Sequence, residues 1–301
     1  MSISSSTVAV VGAGIAGLSA AIRLAVAGKK VIVFEQNSYT GGKVTAFEQK
    51  GFRFDMGPSL FTLPHLVDEL FELAGKNPRA YFNYHTHAEV CRYFWDDGTK
   101  LTMYPSIEKN EAAVASVFGP SEAKQLRDYF EKAKRKYDLT APFFLEKSLH
   151  RASTFLTPAV VKVLAEIPKL GLFSTLHEEN EKAFRTPKLV QLFNRYATYN
   201  GSSPYQTPGI MQMITHLEHS LGTHFPMGGM HEISQSLTRL AVDLGVRFEL
   251  ETRVEEFLIE YKSIIGLVAG GKTWEVDQLV CNTDVKHAYN YLMPEKVKRP
   301  K

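Results

Sequence analysis

Only two cysteines, Cys91 and Cys281, occur in the 301 residues. They lie far apart without metal-ligand spacing, and they read as buried or unreactive thiols of a reducing compartment. Charge of one sign is equally scarce: 35 Lys and Arg face 32 Asp and Glu, and a net +3 is too small to mark a nucleic-acid partner. No stretch reaches the about 18 uninterrupted apolar residues that span a bilayer. Met1 to Thr7 lacks the charged start and apolar core of a signal peptide. Internal repeats and low-complexity tracts are missing, and Ser2 to Ser6 reads as a frayed tail. No nucleophile with its base, no metal cluster and no carboxylate pair stands out. The ten histidines are scattered, and a lone one such as His65, His216 or His231 reads as a surface or satisfied core residue. The catalytic residues are therefore left unassigned and no metal is expected. A cytoplasmic protein, peripheral on a membrane face, fits these absences.

What is present is enough apolar sequence, 44%, to build a full globular core. Val8 to Val11 is a continuous β-branched or small apolar run, and glycines follow it. An apolar helical pattern then passes through Ile15, Leu18, Ala21, Ile22 and Ala25 to Gly28, before Val31-Ile32-Val33-Phe34. That is a βαβ unit whose strands are apolar on successive residues, as strands of a parallel sheet covered on both faces should be.

From Tyr81 to Tyr104 the strands turn aromatic and half-polar around Asp97-Gly98, predicting a hairpin of a separate antiparallel sheet. From Glu111 to about Leu221 the pattern is mainly helical and reads as an insertion. After Gly228-Gly229 a second helix with Met230, Ile233, Leu237, Leu240, Ala241 and Leu244 stops at Gly245, and a strand through Val246, Phe248 and Leu250 follows. The expected organisation is a nucleotide domain in two pieces, residues 1–80 and 222–301, interrupted by a domain at 81–221.

Gly12-Ala13-Gly14-Ile15-Ala16-Gly17 places G-x-G-x-x-G directly between strand and helix. Gly12 permits the tight turn, Gly14 lets backbone approach a pyrophosphate, and Gly17 lets the helix pack closely on the strand. The anion would sit on the free N–H groups of Ile15 and Ala16, at the positive end of the helix dipole. Glu35 lies 23 residues beyond Gly12, at the end of the next strand, where its carboxylate can accept both ribose hydroxyls. Residue 36 is Gln36, not an arginine that would receive a 2′-phosphate.

Beyond Glu35, the stretch Gln36-Asn37-Ser38-Tyr39-Thr40-Gly41-Gly42-Lys43 resembles the FAD-binding signature of the amine oxidase and carotenoid desaturase superfamily. The resemblance implies that Gly41, Gly42 and a basic side chain approach the flavin dinucleotide. Lys43 stands where the family usually has Arg, keeping the charge and losing the bidentate fork. Phe54-Asp55-Met56-Gly57-Pro58-Ser59 is similar to the segment beside the isoalloxazine ring, and Phe225-Pro226-Met227-Gly228-Gly229-Met230 to the family's Y-P-x-G-G-M segment. Arg253-Val254 falls where a valine backbone holds adenine. Further similarity through Ser59 to Pro64, Ala74 to Pro78 and Tyr196 to Ser202 is nearest the carotenoid 3,4-desaturase branch of the phytoene desaturases.

This resemblance implies an α/β fold: a Rossmann-like, glutathione reductase-like (GR2-type) FAD-binding domain with an inserted α+β substrate domain. The family's C-terminal part is missing after Lys301, so a truncated chain is expected. FAD is the implied cofactor, and the implied reaction removes two hydrogens from an allylic CH2–CH2 unit of a carotenoid, hydride passing to flavin. The acceptor of the electrons is left open between a quinone and oxygen. Alternatives on this fold are a flavin amine oxidase, a polyene isomerase, or an inactive truncated dinucleotide-binding protein. A lipid-soluble substrate asks for a membrane-facing mouth. The candidate is the helical insertion, where Lys124 to Val190 holds 13 basic and 8 acidic residues among Phe143-Phe144-Leu145 and Phe155-Leu156. An ordinary amphipathic helix packed inside the domain is the competing reading.

Overall fold

In the computed structural model, residues 6–144, 147, 151, 160, 163, 166–294 and 297 are described. The chain divides into two compact units, one formed by 1–85 with 224–301 and the other by 86–223.

The first unit opens with β1 (Thr7–Val11), α1 (Ile15–Val26), β2 (Lys30–Phe34), the hairpin β3 (Thr45–Gln49) and β4 (Phe52–Met56), and α2 (His65–Leu73). β5 (Tyr84–Thr86) follows at its edge. The second unit holds the hairpin β6 (Cys91–Phe94) and β7 (Lys100–Met103), then α3 (Ile107–Phe118), α4 (Pro120–Phe144), α5 (Leu176–Ala183), α6 (Pro187–Asn194) and α7 (Met213–His219). The chain returns to the first unit with β8 (His224–Pro226), α8 (Glu232–Asp243), β9 (Arg247–Glu249), the antiparallel meander β10 (Val254–Glu260), β11 (Ser263–Ala269) and β12 (Lys272–Glu275), and β13 (Gln278–Cys281).

The central sheet of the first unit is parallel, in the order β13-β1-β2-β9. Successive strand residues point to opposite faces, and both faces are covered. Val10, Val31 and Val33 pack with Leu18, Ala21 and Ile22 of α1 and Ile233, Leu237 and Leu240 of α8. Ala9, Val11, Ile32 and Phe34 point the other way, onto Val254, Phe257, Leu267 and Ala269 of the meander. This two-sided cover is why β1 and β2 show no polar alternation. Each fully buried large aliphatic or Phe side chain contributes about 1.5–3 kcal/mol.

In the second unit the Asp97-Gly98 turn closes its hairpin as its residues demand: the Asp97 carboxylate accepts from Thr99 N–H at 3.1 Å, and Gly98 adopts φ +84°. Leu101 and Met103 of the hairpin pack with Leu126, Tyr129, Phe130, Phe193 and Tyr196 in one core. Two readings left open by the sequence are narrowed by the structure. Cys281 is exposed and Cys91 half-buried, so burial does not explain either thiol. Phe143, read from the sequence either as facing lipid or as packing inside the domain, is buried, and apolar contact with its neighbours gains more than exposure would. Of the other residues assigned to that face, Leu145, Phe155, Leu156 and the side chain of Phe144 lie outside the described residues.

Candidate functional site

β1 ends at Val11, and Gly12 reverses the chain with φ +96°, a conformation that disfavours any side chain. Its N–H donates to the Phe34 carbonyl at 2.8 Å, tying the turn to β2. A Cβ at Gly17 would overlap the Gly12 carbonyl oxygen, so the helix seats on the strand only without one. At Gly14 the surroundings are open: an added Cβ would meet only Asn282 Nδ2, at 3.5 Å. Gly14 is the N-cap of α1, with no side-chain cap and no acidic residue in the first turn. Helix geometry leaves the N–H groups of Ile15, Ala16 and Gly17 without intrahelical acceptors, and the dipole makes that end attractive to an anion.

Glu35 follows β2 directly and is buried. Its Oε2 accepts the N–H of Ala13 at 2.8 Å, inside the glycine turn, while Oε1 accepts from Asn37 N–H at 2.9 Å and Asn37 Nδ2 at 2.8 Å. A carboxylate has about four acceptor directions, and three are taken. One remains for a ribose hydroxyl, and a second hydroxyl needs the Asn37 side chain to swing away. The expected pair of ribose contacts is thereby reduced to one.

Between these parts lies a cavity of about 410 Å³, lined by Gly12, Glu35, Gln36 and Val254 among others. It opens at the carboxyl ends of β1 and β2, where ligands of parallel α/β sheets bind. Sequence reasoning missed part of its wall: Thr283, Asp284 and His287 follow β13, and Thr252 precedes β10. Asn282 is positioned by its N–H, which donates to the Val11 carbonyl at 2.9 Å. The available signal was the short apolar run Leu279-Val280 ending in Asn282-Thr283-Asp284, a strand end followed by a helix-capping acid that binds the N–H groups of Lys286 and His287.

The second glycine pair docks on the first. Gly41 N–H donates to Ala13 O at 2.8 Å, Gly14 and Gly41 form a parallel bridge, and a Cβ on Gly42 would lie 3.3 Å from Gly14 Cα. Gly41 also leaves no room for a side chain against Ser234 of α8. Gly57 packs on the Lys43 carbonyl, so a row of close backbone contacts runs from Gly14 to Gly57. Asp55 joins the two remaining motifs by accepting the N–H groups of Met230 at 3.0 Å and His231 at 3.4 Å at the start of α8, with Arg53 2.9 Å away. Burial raises the Asp55 pKa, and the bonds from Met230, Arg53 and His231 outweigh it and lower it overall.

Gly12, Glu35, Gln36 and Val254 thus line one crevice; Gly14, Ile15, Ala16 and Gly17 carry the chain on from Gly12 into α1 without lining it, and Gly41 and Gly42 pack against Ala13 and Gly14. Lys43, Pro58 and Ser59 are exposed and do not line the crevice. A parallel sheet with an uncapped glycine turn and an acid at the next strand end defines a dinucleotide-binding protein. More narrowly, the chain belongs to the flavin containing amine oxidoreductase family, whose profile matches residues 15–301. It is 46% identical over 291 residues to 1-hydroxycarotenoid 3,4-desaturase of Flavobacterium sp. strain P99-3, covering 97% of this chain and 59% of that protein. It is 31% identical over 294 residues to carotenoid 3,4-desaturase of Haloarcula japonica, again covering 97% and 59%. The solved structure of cyclohexylamine oxidase from Brevibacterium oxydans IH-35A shares the fold, with a TM-score of 0.61 at 18% identity over 96% of this chain and 60% of that one. The chain spans about three fifths of the length of these curated relatives.

Proposed function

We propose that this chain holds FAD for a desaturase that removes two hydrogens from a CH2–CH2 unit beside the polyene of a carotenoid. The observation carrying this reading is Glu35, whose carboxylate accepts the Ala13 N–H of the glycine turn and, with Gly12, lines an open crevice. The N–H groups opening α1 would hold the diphosphate, Glu35 one ribose hydroxyl, and the Val254 backbone the adenine. Gly14 supports the diphosphate role because protein packing alone does not demand a glycine there. Lys43, exposed and one residue past the Gly41-Gly42 pair, would serve as a point charge near the dinucleotide, and Gly57, Pro58 and Ser59 would flank the ring.

When bound, the flavin supplies the two-electron acceptor, and the protein supplies binding, orientation and exclusion of water. Two relatives named for carotenoid 3,4-desaturation support the substrate class. A polyene of this kind dissolves in lipid, so the protein would work peripherally on the cytoplasmic face of a membrane. Among the described residues no helix is long and apolar enough to cross one. The test is incubation of a full-length form with FAD and lipid-dispersed hydroxylated carotenoids. A red shift of the polyene spectrum supports the reading. Retained yellow colour with no shift on any polyene rejects desaturation while leaving flavin binding intact.

A further inference from the structure

A second cavity, about 550 Å³, lies wholly within the second unit. Its floor is one stripe of α4: Lys132, Arg135, Lys136 and Leu139 recur at helical spacing and so share a face. Lys169 and Lys182 face this stripe, with Glu166 and Glu179 as the only carboxylates among the described residues of the lining. Five cations against two carboxylates leave an excess of three positive charges.

Both acids are already committed. Glu166 pairs with Arg135 at 2.7 Å and Lys169 at 3.4 Å, and Glu179 pairs with Lys182 at 3.0 Å. Lys136 is buried and, among the described residues, donates to neutral acceptors, the Gly209 carbonyl at 3.0 Å and Gln212 Oε1 at 2.6 Å. Burial lowers its pKa to about 8; Glu179 opposes the shift, and Lys132 and Lys182 add to it. Lys132 is exposed and has no ion pair among the described residues. A cavity so short of negative charge favours an anion.

The mouth narrows the choice of anion. Leu170 is buried and anchors the loop, while Leu172 and Phe173 stand out from it, Phe173 being 92% exposed. A phenylalanine left in water beside a cluster of cations is a costly arrangement for a soluble ligand site. It is the usual composition of a surface that lies on anionic lipid.

We propose that this cavity receives the phosphate of an anionic lipid headgroup while Leu172 and Phe173 enter the acyl layer. The inference rests on the peripheral-membrane part of the reading above and locates that contact. The test is co-sedimentation of the 301-residue chain with vesicles of phosphatidylcholine alone and with roughly a third phosphatidylglycerol. Binding only to the anionic vesicles, weakening as salt rises, is expected. Lys132→Gln should weaken it about fivefold, the equivalent of about 1 kcal/mol for one surface cation. Phe173→Ser should weaken it comparably without changing the far-UV spectrum, and emission of Phe173→Trp should shift to the blue on anionic vesicles. Wild-type binding that neither substitution alters overturns the assignment of this cavity and leaves peripheral attachment standing. No binding of the wild type to either vesicle overturns both. Saturable binding of inorganic phosphate without vesicle binding assigns the cavity to a soluble phosphate and overturns the lipid.

Discussion

Two glycines three residues apart should respond in opposite ways to the same added methyl group. At Gly17 a Cβ overlaps the Gly12 carbonyl, well inside the 3.0 Å that real Cβ contacts keep. That neighbour is backbone and cannot swing aside, so Gly17→Ala should cost about 1–3 kcal/mol. At Gly14 the added atom meets Asn282 Nδ2 at ordinary contact distance, and φ −67° with ψ 173° suits any residue. Exchanging Gly for Ala at an N-cap costs a few tenths to about 1 kcal/mol, and stiffening the unfolded chain offsets about 0.4–1 kcal/mol. Gly14→Ala should therefore fold with nearly wild-type stability. If the diphosphate of FAD passes over Gly14, the same methyl group should weaken flavin binding at least tenfold, about 1.4 kcal/mol. Urea unfolding followed by circular dichroism measures the first effect, and flavin fluorescence titration of the form that retains FAD measures the second. Wild-type affinity in Gly14→Ala, or a wild-type unfolding midpoint in Gly17→Ala, would refute the reasoning.

Glu35→Ala strips three protein donors of their acceptor, including the Ala13 N–H; a loss of about 1–3 kcal/mol and of flavin retention is expected, read by the same two assays. Asp55→Ala strips the N–H groups of Met230 and His231, just before α8, of their acceptor and should cost about 1 kcal/mol, measured by urea unfolding. Because its folded pKa is lowered, the stability Asp55 contributes is present above its ordinary value of 3.8 and lost as pH falls below it. His219 is fully buried, with burial lowering its pKa from 6.5 to about 4. The unfolded chain takes up its proton first, so stability is intact above pH 6.5 and falls by roughly 3 kcal/mol as pH drops toward 4. His219→Phe should flatten that part of the pH profile, and an unchanged slope would show that other groups cause it.

The βαβ start was legible because each local signal reports on its neighbour: apolar strands, glycines and helix leave Glu35 little choice of position. Its hydrogen bond to Ala13 could be anticipated in direction, though not its sharing with Asn37, because a side chain two residues away leaves no periodic mark. The far wall of the crevice was obscure. Asn282, Thr283 and Asp284 reach Gly12 only through the parallel pairing of β13 with β1 across some 270 residues, and a four-residue strand carries too little pattern to announce such a partner. The docking of Gly41 on Ala13 was hidden for a different reason: glycine patterns tell where side chains are forbidden, not which backbone occupies the space. Phe143 shows the limit of composition, since an aromatic among lysines reads the same whether it faces lipid or the next helix.

The two-sided cover of β1 and β2 has a consequence for how tightly the crevice is held. Adjacent residues along each strand are gripped by different layers, so no small sliding or rocking of the strand loosens one layer without straining the other. Gly12 and Glu35 sit at the tips of strands clamped in this manner, and thermal wander there should be small even before a nucleotide arrives. The floor of the crevice is therefore pre-set, and little ordering entropy is left for a ligand to overcome on arrival.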